Sequence, residues 1–136
     1  MLEHYREAIG SGKAPFPYGD MLGFELTEVE PGRAVIELEC TGRHWNTIGT
    51  VHGGVHCSVA DTAMGIAYGS ALGKGRIATT IDLQIDFLRP LKTGLMRAEA
   101  KIVKRGRTLT LLECDVTDAE GRLIARASSK CMALDA

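Results

Sequence analysis

Between Gly53 and Gly73 the chain carries one residue that is charged at neutral pH, Asp61. The rest of that segment is apolar, small or weakly polar, and it is long enough for a helix. A helix that is apolar nearly all round must be buried, and small residues such as Ala60, Ala63 and Ala67 let other elements pack close to it. The polar, glycine-rich stretch His44–Gly54 leads into it. Whatever else the chain forms must therefore wrap this helix. The lone carboxylate inside it must be paired, protonated or working at a site.

Two readings of Asp61 follow. In one it is a satisfied polar residue at a subunit or loop contact. In the other it is a catalytic carboxylate. Asp61 lies about 10 Å along the axis from Gly54, at the usual rise of about 1.5 Å per residue. The helix start offers free N–H groups and partial positive charge, and glycine there admits a ligand oxygen. A carboxylate and an oxyanion-binding helix start suit acyl transfer. One helix cannot bring both to the same carbon, whereas a twofold pair of antiparallel helices can.

The flanking sequence has a strand period of two. Gly23 to Glu30 reads as a first strand, Pro31-Gly32 as a turn, and Arg33 to Cys40 as a second strand, with Ala34, Ile36, Leu38 and Cys40 on one face. After Gly73-Lys74-Gly75, Thr80 to Phe87 alternates: Ile81, Leu83, Ile85 and Phe87 share one face, and Thr80, Asp82, Gln84 and Asp86 the other. Arg89-Pro90 stops that strand. Leu95–Lys104, Thr108–Val116 and Arg122–Met132 complete the set. Residues 1–10 read as a short amphipathic helix carrying Leu2, Tyr5 and Ile9. Residues 14–21, with Pro15 and Pro17, read as a turn or short helical piece that covers a substrate tunnel or packs on a neighbour. Two strands, one long buried helix and four strands define an α+β fold, with an antiparallel sheet of about six strands covering one helix. The 136 residues are expected to form a single domain, with 1–21 as a helical lead-in.

Hydrophobic residues make up 45% of the chain and charged ones 24%, the balance of a soluble globular protein. The net charge of −1 argues against a nucleic-acid partner. Asp61 in mid-segment argues against a membrane, and no secretory signal pattern is present, so a cytoplasmic location is expected. Cys40, Cys57, Cys114 and Cys131 are scattered without a Cys-x-x-Cys pair, and read as free, mostly buried thiols. Cys57 near the helix start has no evident base or orienter that would make it a nucleophile. His52 and His56 have i,i+4 spacing but no accompanying His-Glu-x-x-His pattern, so no metal is expected.

The run Asn46-x-x-Gly49-x-x-His52-Gly53-Gly54, with Asp61 seven residues after Gly54, resembles the signature of the hotdog-fold thioesterases. It is closest to the PaaI-like branch of the 4-hydroxybenzoyl-CoA thioesterase superfamily. Phe87-Leu88-Arg89-Pro90 is similar to the end of that family's post-helix strand, and the likeness runs from about Gly23 to Ala133. The resemblance implies a sheet wrapped around the central helix. It also implies a dimer joined edge to edge through the post-helix strand, commonly paired into a tetramer, with two active sites at the subunit interface. By the same resemblance Asp61 is the catalytic carboxylate, as nucleophile or as general base on water, and the Gly53 N–H polarises the thioester carbonyl. Asn46 positions water or substrate, Thr80 supports water placement, and His52 orients the loop ahead of Gly54. His44 and Trp45 are candidates for the pocket wall.

Arg89, Lys92, Lys104, Arg105 and Arg107 lie in or beside loops after strands, where they could meet the phosphates of coenzyme A or line a solvated face. The expected activity is hydrolysis of an acyl-CoA, with no cofactor beyond the CoA of the substrate itself. Aryl, phenylacetyl, medium-chain and branched acyl groups stay open. A thioesterase acting on an acyl-carrier protein and a non-catalytic acyl-CoA binder or sensor are the alternatives. A hydratase on the same fold lacks its usual Asp/His motif here.

Overall fold

The computed structural model describes residues 1–14 and 16–136. Its centre is one helix, α3 (Gly53–Ser70). Two short helices precede it, α1 (Leu2–Ala8) and α2 (Pro17–Leu22). Six strands surround it: β1 (Phe24–Glu30), β2 (Arg33–Cys40), β3 (Arg76–Phe87), β4 (Gly94–Arg105), β5 (Leu109–Thr117) and β6 (Leu123–Asp135). They form one antiparallel sheet in the order β1-β2-β4-β5-β6-β3. The sheet curls around α3, which contacts all six strands, and this is the hotdog arrangement.

The core is what the alternation demands. Ala34, Ile36 and Leu38 of β2, Met96, Ala98 and Ala100 of β4, and Leu112, Cys114 and Val116 of β5 are buried against α3. The helix answers with Val59, Ala60, Ala63, Met64 and Ala67, all fully buried. The opposite sheet face carries ion pairs, among them Arg33 with Glu28 and Arg126 with Asp115. Partly exposed pairs of this kind add little stability.

The C-terminal end of α3 is tied to the β1–β2 turn by Ser70, which is 5% exposed. Its hydroxyl lies 2.9 Å from the Glu30 carbonyl and 2.7 Å from that of Ala67, and accepts the Gly32 N–H at 3.1 Å. Ser70→Ala leaves that N–H unpaired. The expected loss is about 1–3 kcal/mol of unfolding free energy, to be read from a urea titration. An unchanged midpoint would show that water replaces the bond.

Residues 17–22 are helical, one of the two forms expected of this stretch, and Pro15 lies outside the described residues. The strands depart from the expected alternation in two places. Strand β3 begins at Arg76, four residues before the alternating stretch. Its register against β6 also slips between Thr80 and Asp82. Thr80 pairs with buried Cys131, and Leu83 with buried Ser129, so Ile81 is the extra residue of a β-bulge. Paired residues share a face, so the bulge corrects the sequence expectation for both residues. Thr80 turns toward α3, and Ile81 turns outward and is 54% exposed. Asp82 holds the bulge: its carboxylate accepts the Lys130 N–H at 2.8 Å and the Lys130 ammonium at 2.6 Å. Those two bonds keep the Asp82 carboxyl below its usual range.

Candidate active site

The loop before α3 is locked by its own polar groups. Asn46 Oδ1 accepts the backbone N–H of Ile48 at 3.0 Å and of Thr50 at 3.1 Å, and its amide donates to Thr50 Oγ1 at 3.0 Å. Gly49 takes φ +82, a left-handed conformation suited to glycine. The buried His44 accepts the Thr41 N–H on Nδ1 and donates from Nε2 to the Leu22 carbonyl at 2.9 Å, fixing its tautomer. Trp45 donates to the Lys92 carbonyl at 2.7 Å. His44 and Trp45 thus fasten the loop, and neither lines the hollow beside Gly53.

His52 is the N-cap of α3, and its Nδ1 accepts the Gly54 N–H at 2.8 Å. A Cβ on Gly54 would sit 2.9 Å from that nitrogen, so the cap needs glycine there. The Gly53 N–H has no acceptor among the described residues. It opens on a hollow of about 350 Å³ that Asn46, His56, Phe87 and Arg89 also line. A Cβ on Gly53 would meet the Phe87 ring at 3.1 Å. The donor, a cation and an aromatic wall therefore meet in one cleft.

His56 in that cleft is a residue the sequence reading weighed only as a metal ligand. It is 4% exposed and stands edge-on to Phe87, with ring centroids 5.5 Å apart. Its Nδ1–H donates to the His52 carbonyl at 3.2 Å. His52 and His56 each commit Nδ1 to the backbone of the helix start. Among the described residues no group of three His, Cys, Asp or Glu side chains is placed to hold a metal ion. Burial, more than its other surroundings, lowers the pKa of His56. In the unfolded chain the imidazole titrates near its ordinary value, so stability is full above that pH. It falls as pH drops toward the lowered folded value, because the unfolded state then binds the extra proton. His56→Gln is expected to flatten the fall in Tm between about pH 7 and 5 that the wild type shows. Parallel Tm curves for the two proteins would refute this.

Asp61 occupies a different hollow, between α3 and β3. Thr80 Oγ1 donates to its Oδ1 at 2.8 Å. This contact exists because the bulge turned Thr80 inward. Behind it the buried Cys131 thiol lies 3.9 Å from Thr80 Oγ1. Ser58 donates to the Gly54 carbonyl at 2.9 Å and meets the Tyr18 hydroxyl at 2.8 Å. Burial, and then the charge of Asp61, push the Cys57 thiol up, which works against a nucleophilic thiolate.

The structure thus brings Asn46, Gly53, Gly54, His52 and Arg89 to one half-site, and Asp61 with Thr80 to another. Eight residues separate Gly53 from Asp61, about 12 Å along the helix. Of the other cations, Lys92 meets Trp45 only through its backbone carbonyl and does not line the Gly53 hollow. Arg105 donates to the Ala71 carbonyl at the far end of α3, about 27 Å from Gly53 for an 18-residue helix. Arg107 follows it in the β4–β5 turn. Arg105 and Arg107 therefore do not join Arg89 within one protomer, a separation that loop positions alone do not reveal.

A sheet curled around one helix, with a free glycine N–H at the helix start and a hydroxyl-supported carboxylate two turns on, is the arrangement expected of a hotdog-fold thioesterase. The sequence model of the thioesterase superfamily matches residues 48–125, more than half of the chain. Human acyl-coenzyme A thioesterase 13 is 30% identical over 129 residues, 93% of this chain and 91% of that protein. The 1,4-dihydroxy-2-naphthoyl-CoA hydrolase of Listeria monocytogenes is 28% identical over 105 residues, 77% of this chain and 85% of its own. The solved structure of the Escherichia coli PaaI protein from the phenylacetic acid degradation operon superposes with a TM-score of 0.80 at 25% identity, covering 86% of this chain and 83% of that one. This chain belongs to the thioesterase superfamily and is a thioester hydrolase.

Proposed function

We propose that the protein hydrolyses acyl-CoA thioesters to free acid and coenzyme A, as a homodimer or dimer of dimers in the cytoplasm. The observation that carries this reading is the division of the site. Gly53 and Asp61 sit about 12 Å apart on one straight element, so a single carbonyl meets both only when two antiparallel helices contribute one each. Strand β3 supplies the means. It is an edge strand with Ile77, Ile81 and Phe87 exposed, and a long apolar edge of this kind invites pairing with a second copy. None of the described helices is long and apolar enough to cross a membrane.

In the assembled site the carbonyl oxygen accepts the Gly53 N–H of one protomer, which stabilises the negative charge that develops there. Asp61 of the other acts from the opposite side, taking a proton from water or attacking the carbon itself. On the first route the water oxygen bonds to the carbon, the C–S bond breaks, and the proton held by Asp61 passes to the departing CoA sulfur. On the second the Asp61 oxygen displaces the CoA thiolate as a mixed anhydride, which water then cleaves to the free acid and the Asp61 carboxylate. Arg89, Lys92, Arg105 and Arg107 are the candidate phosphate contacts.

The test is thiol release from a panel of aryl and aliphatic acyl-CoAs, with light scattering for the assembly state. Turnover of at least one acyl class by a dimer or tetramer is the expected result. Turnover of acyl-carrier-protein thioesters alone would replace the substrate. Tight CoA-ester binding without turnover would replace the catalytic reading with a binding one.

A further inference from the structure

Of the first three N–H groups of α3, two are spent. Gly54 donates to His52 Nδ1 at 2.8 Å and Val55 to the His52 carbonyl at 2.9 Å, which leaves the Gly53 N–H to the cleft. That N–H shares a rigid peptide plane with the His52 carbonyl, so whatever fixes the carbonyl also aims the donor. Two glycines open the helix, and a glycine backbone turns more freely than any other. A side chain adds to the hold on the same carbonyl: His56 Nδ1 stands 3.2 Å from it. A carbonyl only accepts, so the proton of the neutral ring lies on Nδ1. Burial, which lowers the His56 pKa, keeps that ring neutral. The ring has little freedom of its own, being 4% exposed and edge-on to Phe87. Its Nε2 makes no hydrogen bond among the described residues, and the ring lines the hollow beside Gly53.

We propose that His56 is a positioning residue for the reaction: its Nδ1–H holds the His52–Gly53 peptide plane so that the Gly53 N–H points at the thioester oxygen. The inference rests on reading that N–H as the oxyanion donor. His56 touches no reacting atom and acts through the peptide bond, in two ways. It keeps the plane from tilting at the glycine-rich helix start. By drawing charge onto the carbonyl oxygen it also strengthens the N–H on the other side of the same bond. Both effects grow as negative charge develops on the thioester oxygen, so they fall on kcat rather than on KM.

Three substitutions separate the two ring nitrogens. His56→Asn places an amide N–H where Nδ1 was, His56→Gln places its amide near the Nε2 position, and His56→Leu supplies neither. Each is compared with wild type by thiol release from the acyl-CoA that the wild type turns over fastest, and by the NMR relaxation order parameter of the Gly53 amide in the ligand-free protein. His56→Leu and His56→Gln are expected to lower kcat by about tenfold or more at nearly constant KM, since a misplacement of about 1 Å can cost about 10²-fold. They are also expected to loosen the Gly53 amide. His56→Asn is expected to recover most of kcat and to keep that amide as rigid as in the wild type. If His56→Gln restores turnover and His56→Asn does not, His56 serves the ligand through Nε2 and the proposal is wrong. It is equally wrong if His56→Asn is as slow as His56→Leu, if His56→Leu keeps the wild-type kcat, or if KM rises while kcat holds. A wild type that releases thiol from no acyl-CoA would overturn the thioesterase reading. The Gly53 amide would then decide the hold on the peptide plane by itself, and an order parameter unchanged in His56→Leu would refute it.

Discussion

Asp61→Asn is expected to lower kcat by about 10²–10⁴-fold, the range for losing a positioned general base or its equivalent. The change keeps the size of the side chain and its capacity to accept from Thr80, which stands 2.8 Å away, so local packing survives. It removes the negative charge that takes the water proton or forms the new bond. Far-UV circular dichroism and Tm are expected to stay near the wild type, because Asp61 is only half-buried at the rim of the hollow. The divided site adds a sharper readout. Mixing Asp61→Asn with a variant blocked at Gly53, such as Gly53→Val, builds hybrid dimers. Gly53→Val alone is expected to be inactive, since its side chain would meet the Phe87 ring where the carbonyl must sit. In a hybrid, one of the two sites has both intact partners, so activity is expected to return on mixing and exchange. Two inactive variants that stay inactive when mixed would mean that each site is built within one protomer. Wild-type turnover by Asp61→Asn would remove it from the chemistry altogether.

Met64→Ala is expected to cost about 2–5 kcal/mol, the range for emptying a long core side chain. Met64 is fully buried on α3 at the centre of the sheet's curvature, and its sulfur accepts the Ser129 hydroxyl at 3.3 Å. Truncation leaves a cavity and removes one of the two sulfur partners of that hydroxyl, which keeps the Cys131 thiol at 3.7 Å, so the cavity carries most of the cost. Against a typical domain stability of about 5–15 kcal/mol, this is a large fraction. A guanidinium titration with unchanged m-value and a lowered midpoint is the expected signature. A loss below about 1 kcal/mol would mean that the sheet collapses onto the gap.

Much of the molecule is legible in its residues. The β1–β2 hairpin, the buried helix and the inward face of β2 follow from alternation and from Pro31-Gly32. Asp61 stands out because it is the one charge in an apolar segment, and the expectation that no single helix brings it to Gly53 agrees with the observed half-sites. His52 was expected to orient the loop, and its ring is seen to cap the helix at Gly54. Other features were hidden. Thr80 reads as an outward residue on strict alternation, and only the family resemblance set it near the site. His56 differs in no local way from any buried histidine until its ring is seen in the Gly53 cleft beside Phe87. The separation of Arg105 from Arg89 appears only when α3 is laid between them.

Local periodicity, turn residues and one isolated charge determine the elements, the buried helix and the carboxylate, because each is set by neighbours within a few residues. The bulge at Ile81 that turns Thr80 onto Asp61, the Tyr5 phenol over Gly69, and the pairing order β1-β2-β4-β5-β6-β3 were decided by tertiary structure alone. Each is a match of register or packing between segments far apart in the chain. One inserted residue inverts which face a strand presents, and nothing within that strand records where its partner makes the slip.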